Sequence, residues 1–108
     1  MVWLKAGQRK PSGDAPLGTF TTSDGKVFDI YTKLNSNPNY IAYVAQEEQT
    51  SGSLEYSEII NDVWENSASY GTYQIQDTDC MANILFGTEI WHGAGSFKLN
   101  ELVINRFY

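Results

Sequence analysis

A single glutamate, Glu89, stands within a long apolar run that extends from Ile84 to Trp91. Burial of a carboxyl group in such surroundings is costly unless the group faces a groove or a partner, and it raises the pKa of the acid. A carboxylic acid that keeps its proton near neutral pH can act as a general acid. The residues allow two interpretations: Glu89 is a catalytic acid that faces a groove, or it is a strand-end glutamate exposed to solvent.

The rest of the sequence offers few other groups for catalysis or metal binding. Cys80 and His92 are the single cysteine and the single histidine, too few for an internal disulfide or a metal site. The formal net charge of −6 argues against nucleic acid and anionic membranes, because both require a basic surface. No apolar run approaches membrane-spanning length. We therefore expect no metal or other cofactor, and neither nucleic acid nor a membrane as partner.

The elements that must position these groups are mostly short strands. The 108 residues suffice for one small domain, which we assign to 1–108. Apolar and β-branched runs alternate with turn residues along most of the chain, and Asp24-Gly25 between two such runs predicts a hairpin. The predicted strands are 1–5, 17–22, 27–32, 40–45, 72–76, 81–91 and 96–107, with a loop at 8–16 and a turn at 35–39.

One helix interrupts the strand pattern, at 54–65. Ser53 is its predicted N-cap. Two sets of residues define its faces. The apolar stripe is Tyr56, Ile59, Ile60, Val63 and Trp64, and the opposite, solvated face is Glu58, Asn61, Asp62 and Glu65. The sequence therefore predicts an all-β sandwich with one helix packed on it.

Two segments carry a resemblance to a known family. The run Phe86–Gly93 resembles the strand that bears the acid/base glutamate in glycoside hydrolase family 12. At the other end, Met1-Val2-Trp3-Leu4 resembles the strand that carries the nucleophile of that family. The features between them occur in the family's order, and the resemblance covers about half of a usual member. Related family 11 xylanases belong to the same clan, and Leu17–Gly25 resembles them too.

The resemblance implies a β-jelly-roll of the concanavalin-like clan C type, here its C-terminal part, and hydrolysis of a β-1,4-linked glucan. Retaining glycosidases use two carboxyl groups about 5–5.5 Å apart. On the resemblance Glu89 is the acid/base residue, and the nucleophile stands two positions before Met1, outside this sequence. The residues implied to contact substrate are Met1, Trp3, Pro11 and Trp91. The family also implies secretion, although the sequence contains no recognisable signal peptide.

Several alternatives remain open at the level of sequence. The chain is a glucan hydrolase, a non-catalytic glucan-binding or decoy module, or a fold fragment that self-associates or pairs with a complementing N-terminal half. His92 either bonds substrate or is simply exposed. A group of tyrosines could stack on glucose rings or could be core and cross-strand residues: Tyr31, Tyr40, Tyr43 and Tyr73.

Overall fold

A computed structural model describes residues 1–4, 6, 11, 15–33, 40–80, 96 and 98–105. Its regular structure within these ranges consists of four strands and one helix. The strands form one sheet in the order β1-β4-β3-β2. β1 runs parallel to β4, and the other two pairs are antiparallel. The elements are β1 (Val2–Trp3), β2 (Gly18–Thr21), β3 (Val27–Lys33), β4 (Tyr40–Ala45) and α1 (Tyr56–Asn66).

The hairpin between β2 and β3 turns at the predicted Asp-Gly pair. The Thr22 N–H donates to the Lys26 carbonyl at 2.9 Å, and the Gly25 N–H donates to the Thr22 carbonyl at 2.9 Å. Gly25 has φ +86°, in the left-handed region that glycine adopts without a steric penalty. The Thr22 hydroxyl also donates to the Asp24 carboxylate at 2.5 Å. The predicted hairpin is confirmed, and its register follows from this turn.

One face of the sheet packs against α1 and holds much of the described core. Phe28 and Ile30 of β3, Tyr43 of β4 and Ile59 of α1 are buried there. The rings of Phe20 and Tyr43 meet edge to face, with centroids 5.8 Å apart and planes at 86°. Alternation along each strand brings these residues to the same face. Partly buried residues complete this layer: Val2, Leu4, Phe20, Ile41, Ala45, Leu54, Val63 and Tyr70.

The opposite face of the sheet has a smaller core of its own. Tyr31, Ala42 and Val44 are buried on it, and Trp3 and Tyr40 are among the partly buried residues that pack against them. Trp3 pairs with Val44 in the parallel β1–β4 ladder. Both faces of the central strands are therefore covered, which explains the near-continuous apolar sequence of β4.

The helix begins later than its predicted first residue, and its cap is a different side chain. Glu55 is the N-cap, and its carboxylate accepts from the Ser57 N–H at 3.4 Å and the Ser57 hydroxyl at 2.5 Å. The prediction of Ser53 as the N-cap is wrong. The Ser53 carbonyl instead accepts from the Lys26 ammonium at 2.6 Å, which ties the start of the helix to the hairpin.

The predicted strand at 72–76 is also wrong. Its main chain bonds back to the end of α1 rather than to another strand. The Thr72 N–H donates to the Ser67 carbonyl at 3.1 Å, and the Ile75 N–H donates to the Ser67 hydroxyl at 3.2 Å. We call residues 67–75 the Ser67 loop. The described part of the last predicted strand, residues 96 and 98–105, likewise contains no strand, and 81–91 lies outside the described residues.

The described architecture is thus a small, mainly β fold of four strands with one helix on one face. Within the described ranges no helix is long and apolar enough to cross a membrane.

Candidate functional site

The predicted catalytic residue Glu89 and the predicted substrate contact Trp91 lie outside the described residues, as does His92. Their roles stay predictions. Pro11 is buried, and its contact with substrate stays a prediction as well.

Trp3 of β1 lies on the face of the sheet away from α1, and Met1 contacts it from the start of the strand. The Trp3 indole N–H donates to the Met1 sulfur, and the Tyr40 hydroxyl donates to the same sulfur at 3.6 Å. Met1 is 57 % exposed, whereas Trp3 is partly buried against Val44 and its neighbours. We call Met1, Trp3 and Tyr40 the β1 aromatic surface. It brings two sequence-predicted substrate contacts next to one of the candidate stacking tyrosines.

A pocket of about 500 Å³ opens beside this surface, between the start of β4 and the Ser67 loop. Met1, Tyr40 and Tyr73 of the Ser67 loop are among the residues that line it. Tyr73 is 55 % exposed, so much of its side chain is available to a ligand. The remaining described lining is mostly apolar or hydroxylated and includes Ile41, Val63, Ser67, Thr72 and Ile75. Such a pocket suits a ligand with apolar faces and neutral polar groups.

The Ser67 loop owes its shape to hydrogen bonds that are internal to it or made to α1. Ser67 is 1 % exposed, and its carbonyl accepts from the Thr72 hydroxyl at 2.7 Å. The Gln74 side chain donates to the Trp64 carbonyl at 2.6 Å near the end of the helix. These bonds position Tyr73 at the rim of the pocket. The alternating pattern of 72–76 had indicated a strand, and nothing in it indicated this loop.

A second cluster lies between α1 and the sheet, and it centres on a carboxylate. Asp62 accepts a hydrogen bond from the Tyr43 hydroxyl at 2.6 Å and another from the Tyr70 hydroxyl at 2.8 Å, both through Oδ2. Its other oxygen accepts from the Asn66 side chain at 2.9 Å. We call these four residues the Asp62 cluster. With both carboxylate oxygens occupied, the cluster is built to hold the helix rather than to carry out chemistry.

The electrostatics of the Asp62 cluster keep its tyrosines protonated. Burial raises the pKa of Tyr70 to about 12, and the hydrogen bond to the Asp62 carboxylate acts in the same direction. Burial, followed by the bond to Asp62, also raises the pKa of Tyr43 well above its usual value. Both phenols are therefore neutral hydrogen-bond donors at physiological pH.

The sequence assigned Asp62 and Glu58 to a solvated helix face, whereas both are only partly exposed and bond to other parts of the chain. Glu58 accepts from the Ser23 N–H at 2.8 Å and also from the Ser23 hydroxyl. Asn61 and Glu65 are exposed, as predicted. Tyr43, which bonds to Asp62, and Ser23, which bonds to Glu58, lie in other parts of the chain, so periodicity within the helix could not identify these partners.

Among the described residues no group of three or more histidine, cysteine or acidic side chains is arranged to hold a metal ion. Cys80 is a free, exposed thiol.

Comparison with protein-family models, with curated proteins and with solved structures finds no match to this chain. The likeness to glycoside hydrolase family 12 therefore depends on the sequence motifs alone.

The Asp62 cluster predicts a loss of stability at alkaline pH. The pKa of Tyr70 is about 12 in the folded chain against an ordinary value of 10.0. Because the folded state holds this proton more tightly, its stabilising effect is complete below pH 10 and is lost as the pH rises through 12. Tyr43 contributes in the same direction.

We expect Tyr70→Phe to make the free energy of unfolding less dependent on pH over this range, as measured by urea denaturation at a series of pH values. The matched control Tyr73→Phe removes an exposed hydroxyl and should keep the wild-type profile. An unchanged profile in Tyr70→Phe would contradict the assignment.

Proposed function

We propose that this chain is the acid/base-bearing part of a retaining β-1,4-glucan hydrolase. The observation that carries the proposal is the position of Met1. The family resemblance assigns Met1 to the substrate groove, and this residue lines the open pocket together with Tyr40 and Tyr73.

The chemistry of the pocket fits a neutral sugar chain. A glucose ring presents apolar C–H faces that pack on aromatic rings, and its hydroxyl groups bond to neutral polar groups such as tyrosine hydroxyls. The volume of about 500 Å³ accommodates a small number of sugar rings. A neutral polysaccharide also needs no cationic surface, which agrees with the formal net charge of −6.

Two carboxyl groups would perform the hydrolysis on this proposal. Glu89 protonates the glycosidic oxygen as the leaving group departs, and the second carboxylate attacks the anomeric carbon to form a glycosyl-enzyme. Glu89 then removes a proton from the water that releases the sugar. The matching position for the nucleophile falls before Met1, so we propose that residues outside this sequence supply it, in a complementing N-terminal half.

The remaining parts of the proposal concern the fold and the setting. Apart from its parallel β1–β4 pair, the described sheet would form part of one layer of a jelly-roll sandwich, and further strands would supply the second layer. The order of β1, the β2–β3 hairpin, β4 and α1 agrees with the order of features in the family resemblance, which supports this placement. Extracellular polysaccharide would then be the substrate, and the protein would be secreted.

A second candidate is a non-catalytic glucan-binding module. It is favoured by one specific observation: the described residues that line the pocket include no carboxylate. A pocket of aromatic and hydroxylated side chains can bind a sugar without cleaving it. The two candidates share the binding site and differ in the role of Glu89.

Glucan binding is tested with cellohexaose and isothermal titration calorimetry. We expect the wild-type chain to bind and Tyr73→Ala to weaken binding about tenfold, which is the effect of losing roughly 1.4 kcal/mol of stacking energy. Tyr73→Phe keeps the ring and should retain most of the affinity. Leu17→Ala, which truncates a 58 % exposed apolar side chain away from the pocket, should bind like the wild type. Absence of binding by the wild-type chain would overturn the glucan proposal.

Hydrolysis separates the two candidates. The 108-residue chain alone should release little or no reducing sugar from carboxymethyl cellulose, because the nucleophile is supplied from outside it. Addition of an upstream segment that places a glutamate two positions before Met1 should produce turnover, and Glu89→Gln should abolish it. Binding without turnover in the extended protein would favour the non-catalytic module. Turnover by the chain alone that Glu89→Gln abolishes would contradict the external nucleophile.

A further inference from the structure

Strand β2 forms one edge of the described sheet and pairs there with β3. Because the Thr22 N–H bonds to the Lys26 carbonyl, the antiparallel alternation directs the main-chain groups of Thr19 and Thr21 away from β3. Both residues are exposed, as is Gly18. A strand edge of this kind presents N–H and C=O groups that can pair with another strand.

The segment 98–105 could supply a strand that pairs with this edge. Its sequence predicts a strand, yet these residues lie in no strand of the described structure. The Tyr56 hydroxyl of α1 donates to the Asn105 carbonyl at 3.4 Å and holds the end of the segment near the start of the helix. Four of its apolar side chains are 44 to 67 % exposed, namely Leu99, Leu102, Val103 and Ile104.

We propose that the chain forms a reciprocal dimer in which the segment 98–105 of each copy pairs as an added strand with β2 of the other. This is β-strand addition: main-chain hydrogen bonds supply affinity, and alternate side chains pack on the two faces of the enlarged sheet. In the added strand, Leu102 and Ile104 would share one face and Val103 would lie on the other. Leu102 and Ile104 would then lie next to Phe20, which packs on the helix-side core, and would be shielded from water.

The occupant is a second copy because, within the described residues, one chain contains both an exposed β-prone segment and an exposed edge strand, β2. A reciprocal exchange about a two-fold axis uses both features of both copies and closes the assembly at two chains. Each chain carries a formal net charge of −6, so the two copies repel each other. Dimerisation should therefore strengthen as salt screens this repulsion, the reverse of what an association based on opposite charges would show.

The test is sedimentation velocity of the full chain over a concentration series at low and high ionic strength. We expect a monomer–dimer equilibrium that shifts toward dimer at high salt. Ile104→Lys places a charge on the segment, and Thr19→Pro removes an outward N–H from the edge without removing a bond to β3. Each should weaken dimerisation by at least about tenfold, the equivalent of roughly 1.4 kcal/mol. Tyr73→Lys makes the same kind of change at a 55 % exposed residue outside both surfaces and should dimerise like the wild type.

A mixture of the two variants provides a second test, which does not depend on either variant alone. Thr19→Pro retains an intact segment and Ile104→Lys an intact edge, so the mixture can form one of the two strand contacts. We expect more dimer in the mixture than in either variant by itself. A wild-type chain that stays monomeric, an open-ended series of larger oligomers, or variants that dimerise like the wild type would each overturn the proposal. Because no sugar is present, these outcomes do not depend on glucan binding.

Discussion

The hydrogen bond between the Tyr43 hydroxyl and the Asp62 carboxylate connects β4, one of the two central strands of the sheet, to the helix that packs on it. Tyr43 is 0 % exposed, so its hydroxyl requires an acceptor within the protein. Asp62 supplies that acceptor and also receives the hydroxyl of Tyr70, just beyond the helix. A directional bond of this kind fixes the rotation of α1 about its axis, which hydrophobic packing alone specifies less sharply. With Asp62 over Tyr43, Ile59 reaches the core formed by Phe28 and Ile30.

The candidate site depends on the same arrangement. α1 ends at Asn66, and the Ser67 loop that follows it is held by hydrogen bonds to Ser67 and Trp64. The loop brings Tyr73 to the pocket, and the parallel pairing of β1 with β4 brings Met1 to it. Because α1 and the loop that follows it supply part of the pocket lining, the shape of the pocket depends on the position of the helix on the sheet.

Local patterns predicted the parts of the fold that local chemistry determines. The Asp24-Gly25 turn, the strand at 40–45 and the position of Ile59 on the core side of the helix follow from turn geometry and periodicity. Interactions between distant residues were not predictable in this way. The strand predicted at 72–76 is a loop because its main chain bonds to Ser67. Asp62 was assigned to solvent because its partner Tyr43 lies 19 residues earlier, beyond the reach of a local pattern.

The candidate site was likewise predictable only in part. The resemblance implied that both Met1 and Trp3 contact substrate; their side chains contact each other, but only Met1 is among the residues that line the pocket. The pocket itself could not be predicted, because it combines the start of β4 with a loop that the sequence indicated to be a strand. Glu89 and Trp91 lie outside the described residues, so their part of the site depends on the sequence motif.

The most direct test of the central claim is a double-mutant cycle between Tyr43→Phe and Asp62→Ala, with the free energy of unfolding measured by urea denaturation. If the bond between these side chains holds α1 on the sheet, the two substitutions should couple by about 1–3 kcal/mol, the range for a partly buried hydrogen bond to a charged group. Effects that add within about 0.5 kcal/mol would show that the two residues contribute independently and would contradict the account.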